Sequence, residues 1–97
     1  MKDSFSQGSL SSSGETYQKP NFLLYISDLS IQGMIFLGLV ENPITKKTEK
    51  NLTNARYIID VLEMLEEKTK GNLDETEQKA LGQILYQLRM AFVEQSK

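Results

Sequence analysis

Ninety-seven residues are enough for one domain, and a chain with no Cys and no His lacks disulfides, thiolate or imidazole metal ligands and the usual general base. Eleven Lys plus Arg against 13 Asp plus Glu give a formal charge of −2, without the positive excess on which nucleic-acid or anionic-membrane binding rests. The expectation is therefore a chain with no catalytic residues, no cofactor, no metal and no nucleic-acid partner, compatible with the cytoplasm.

Residues 1–19 carry Ser at positions 4, 6, 9, 11, 12 and 13 with Gly8 and Gly14, and offer little apolar area to offset the entropy of ordering. They read as a disordered Ser-rich tail. Leu10 stands alone among serines, so the continuous apolar run of a secretory signal is missing. The tail's functional alternative is a peptide that folds onto a partner through Phe5, Leu10 and Tyr17. Residues 20–97 then form a single helical domain.

The first element runs over about residues 21–40, with Asn21 as its N-cap and Gly38, Asn42 and Pro43 at its end. On a helix, Phe22, Ile26, Leu29, Gly33, Phe36 and Leu37 occupy one side. Leu24, Ile31, Met34, Ile35 and Leu39 occupy the opposite one, so the helix is apolar nearly all round. Asp28 and Gln32 form its polar strip, and near the middle of a bilayer both would be costly. No Lys or Arg cluster flanks the stretch, and the later helices need a partner in the same fold, so no membrane span is expected. With Tyr25, Asp28 and Gln32 are the polar groups a small-molecule pocket would use.

From residue 41 to residue 50 the chain is polar, and Lys46, Lys47 and Lys50 among acidic neighbours read as a solvated loop. Asn51 caps a second helix over about residues 52–70, with Ala55, Ile58, Ile59, Leu62 and Leu65 as its main seam. Tyr57, Val61 and Met64 make a second apolar row beside it. The remaining strip holds Asp60, Glu63 and Glu67, which pair at helical spacing with Arg56 or stay solvated; without His or a second acidic cluster they make no metal site.

Gly71 is the expected left-handed stop of that helix. Asp74 and Glu77 form a capping box that starts a third helix over about residues 74–95, giving an antiparallel hairpin of helices two and three. Leu81, Ile84, Leu85, Leu88 and Phe92 make its inner seam, while Tyr86, Met90 and Val93 make a separate outer row.

Leu37-Gly38-Leu39-Val40, the Pro43 loop, Asn51-Leu52 and Ala55-Arg56 recur in order before a more distinctive block. That block runs from Ile59-Asp60 through Leu62-Glu63-Met64-Leu65-Glu66-Glu67-Lys68-Thr69-Lys70-Gly71-Asn72-Leu73, followed by Leu85-Tyr86 and Leu88-Arg89. Over about residues 22–97 the chain resembles the small bacterial domain of unknown function numbered eighteen-forty-four. The resemblance implies a short, mostly helical cytoplasmic bacterial protein and carries no activity, cofactor or catalytic residue. Asn42 stands before Pro43 where an acidic residue is the commoner pattern of that family.

The all-α reading leaves three helices with more apolar faces than they can cover among themselves. A homo-oligomer follows, most simply a two-fold dimer, with Ile31, Ile35, Tyr86, Met90 and Val93 in its interface. Ser27, Ser30, Gly33 and Gly38 would let helix one approach a second backbone closely. The functional expectation is a non-catalytic protein acting by self-association and protein–protein contact. The alternative is a small-molecule binder with its pocket at Tyr25, Asp28 and Gln32; enzyme chemistry would have to come from carboxylates, Tyr, Lys or Ser alone.

Overall fold

A computed structural model describes residues 17–97, so the expected tail lies, except for residues 17–19, outside the described residues. Those described form three α-helices and no strand: α1 (Phe22–Phe36), α2 (Leu52–Lys68) and α3 (Glu75–Gln95). The class is all-α, as expected.

Asn21 starts α1, its Oδ1 accepting from the Leu24 N–H at 2.9 Å. The helix stops at Phe36, four residues short of the expected end. Gly38 takes φ +78°, and its N–H donates to Ile35 O while the Leu39 N–H donates to Met34 O, both at 3.0 Å. These are the two bonds of a Schellman stop, in which a left-handed residue turns the chain back over the last carbonyls. Gly38 is thus the stop expected of it, and apolar Leu39 and Val40 lie beyond the helix. No described helix is long and apolar enough to cross a membrane.

The connection folds back on itself. The Asn42 side chain accepts from the N–H groups of Ile44 and Thr45, and the Asn42 N–H donates to Lys47 O at 2.9 Å. Lys46 accordingly sits at φ +63° in a closed turn. The Asn51 N–H then donates to Phe36 O at 2.7 Å, placing the start of α2 beside the end of α1.

Asn51 caps α2 through its Oδ1, which accepts from the Asn54 N–H at 3.0 Å. The helix ends at Lys68, two residues earlier than expected, with Thr69 as its cap. The Thr69 N–H and hydroxyl both donate to Leu65 O, and the Asn72 N–H closes onto Thr69 O at 2.8 Å. Gly71 is left-handed, φ +86°, but lies inside that turn, one residue later than the cap position expected of it. The Asp74–Glu77 capping box forms as expected: Asp74 Oδ1 accepts from the Glu77 N–H at 2.8 Å and Glu77 Oε1 from the Asp74 N–H at 3.0 Å.

All three helices pack on one another around Ile26, Leu29, Leu37, Ala55, Ile58, Ile59, Leu62, Leu81, Leu85 and Leu88. Each fully buried Leu or Ile contributes about 1.5–3 kcal/mol relative to exposure. At Gly33 a Cβ would meet the Leu88 methyls at 3.1 and 3.2 Å and Ile58 at 3.4 Å. Gly33 thus serves the close approach of α1 to its own neighbours, correcting its expected use against a second copy.

Candidate functional site

Phe22, Ile26, Leu29, Gly33, Phe36 and Leu37, the first of the two apolar sides of helix one, form the inward face. Of the opposite side Met34 packs against the core, and the rest is left over. Leu24 and Ile31 are exposed there, Ile31 at 54%, with Ile35 half-buried beside them. A similar row occurs on α3, where Tyr86, Met90 and Val93 are 64%, 55% and 57% exposed. The five residues expected in an interface therefore stand on two helices, each row on the side turned away from the core. They make two rows and not one patch. Tyr57 and Met64 extend this pattern to α2, where both are exposed while Val61 between them is half-buried.

Tyr25, Asp28 and Gln32 share one side of α1, and all three are exposed. None of the three lines the concave places described next.

A cavity of about 590 Å³ lies where α2 ends, lined among others by Glu63, Glu67, Lys70, Gly71, Gln78 and Arg89. Across it Arg89 donates from Nη2 and Nε to one oxygen of Glu63, at 2.8 and 3.2 Å, with both side chains about half exposed. Glu63, expected on a solvated face, is thus bonded to α3; Arg56 and Asp60 do approach at 4.0 Å as their spacing suggested. The Glu63–Arg89 pair had no sequence signal, because it depends on how α2 and α3 sit side by side. A smaller hollow holds Leu52, Thr53, Arg56, Asp60 and Phe92.

This corner has mixed charge and is open to solvent. Among the described residues there is no buried polar or charged side chain, and no group of three acidic, His or Cys residues that could hold a metal. Among the described residues the arrangement offers contact surface and ion pairing.

A family model described as "Domain of unknown function (DUF1844)" matches residues 19–94. No curated protein and no solved structure matches the chain.

Proposed function

The chain belongs to the DUF1844 family, and from the faces its helices leave uncovered we propose that it is a non-catalytic helical protein acting through self-association, as a two-fold dimer that presents further surface to a protein partner. The observation that carries this is the outer row of α3, in which Tyr86, Met90 and Val93 each remain more than half exposed at helical spacing. Exposed Ile31 with half-buried Ile35 beside it supplies a second, less open apolar surface on α1.

In this reading α2 and α3 form an antiparallel hairpin. Lys50, just before α2, donates to Gln95 O at 3.0 Å, and Leu52 shares a hollow with Phe92 near the end of α3. The hairpin and α1 make a three-helix layer, and a second copy covers what the layer exposes.

Light scattering behind a sizing column tests the proposal. A dimer mass at micromolar concentration is expected, lowered towards the monomer by Met90→Glu or Ile35→Asp. A monomer mass for the unmodified chain, untouched by either substitution, would remove it.

A further inference from the structure

The outward stripe of α3 is symmetric about one residue. Read outward from Tyr86, it takes four residues to Gly82 or Met90, three more to Lys79 or Val93, and four more to Glu75 or Lys97. These intervals of three and four keep Glu75 to Val93 on one helix face, and Lys97, two residues past the helix, is drawn back to Glu94 at 3.5 Å. Every member of the stripe is exposed. An antiparallel second copy about a two-fold axis would repeat the same intervals in reverse.

Gly82 is what makes this stripe able to accept a partner. It lies inside α3, where Ala would favour the helix more, and an added Cβ there would meet no atom within 4 Å among the described residues. No neighbour within the described chain requires a glycine at this position. On the antiparallel arrangement the space over Gly82 lies opposite Met90, whose unbranched thioether fills irregular gaps.

The charges agree with that register. Glu75 and Lys79 pair within one turn at one end, as do Glu94 and Lys97 at the other, all with strongly exposed side chains. Reversing one helix against another brings Glu75 beside the partner's Lys97 and Lys79 beside the partner's Glu94, a neutral group of four at each end. The outer side of α1 offers nothing equivalent, because α1 has no Lys or Arg and its own pairing would bring two Asp28 carboxylates together uncompensated.

We propose that two copies of this chain associate α3 against α3, antiparallel about a two-fold axis at Tyr86, with Met90 of each copy seated over Gly82 of the other. The proposal rests on the self-association above and specifies its surface and register.

The chain has no Cys, so a single introduced thiol reports its own neighbours. The full chain carrying Tyr86→Cys is expected to cross-link to a covalent dimer with a short bismaleimide far faster than chains carrying Ile31→Cys or Tyr57→Cys. Lys79→Glu and Glu94→Lys should each weaken the dimer by more than about tenfold, and the double exchange should restore it. A dimer that cross-links best through Ile31→Cys, or that the double exchange fails to restore, overturns this register and leaves self-association standing. A monomer that never cross-links, as it would if residues 1–16 of the same chain covered the row, overturns both.

Discussion

Gly33 and Gly82 are both inside helices, and the difference between them separates the two apolar regions of this molecule. Over Gly33 the methyls of Leu88 close to 3.1 Å, whereas over Gly82 no neighbour among the described residues comes within 4 Å of an added Cβ. The same holds for the residues around them: Ile26 and Leu29 are buried on one side of α1 while Leu24 and Ile31 stand in solvent on the other. Residue type and spacing are alike in the two regions. What distinguishes the inner face is a small residue matched to large side chains on both neighbours, so that three helices close over one side only.

The comparison breaks most sharply at the centre of the inner region. Leu62→Ala, at a side chain with no exposure, should cost about 2–5 kcal/mol in a denaturant titration. A loss no larger than that of Met64→Ala, on the exposed side of α2, would mean that the inner and outer regions are not energetically distinct.

The glycines sharpen it next. Gly33→Val should destabilise by about 1–3 kcal/mol, because the space is already filled by Leu88 and Ile58. Gly82→Ala, measured by thermal melting at concentrations where copies are separate, should instead stabilise by about 0.5–1 kcal/mol. Equal losses at the two sites would show that Gly82, too, is packed against.

Much of this was legible beforehand. Caps at Asn21, Asn51 and Asp74 announce their helices because a short polar side chain can reach the free amides of the first turn. The seams of α2 and α3 follow from spacing. Gly38 is the left-handed stop expected at the end of α1, and only the outer bound at Val40 runs too far, because Leu39 and Val40 prolong the apolar pattern past the reversal. The Glu63–Arg89 contact and the cavity around it were out of reach, since two helices can slide past one another without changing either one's periodicity. Tyr25, Asp28 and Gln32 share one side of α1, but spacing does not say which side the fold turns inward.

A third glycine isolates the backbone. At Gly71 an added Cβ would meet nothing within 4 Å among the described residues and φ is +86°, so Gly71→Ala should cost about 1 kcal/mol through conformation alone, read as a lower denaturation midpoint. No change would mean the turn after α2 relaxes freely.

The central claim, that the outer rows exist to meet a second copy, is tested most directly by the native mass of the full purified chain under gentle ionisation. The account predicts twice the chain mass with no additional small molecule. A single-chain mass that persists at micromolar concentration, above all one carrying a bound small molecule, would contradict it.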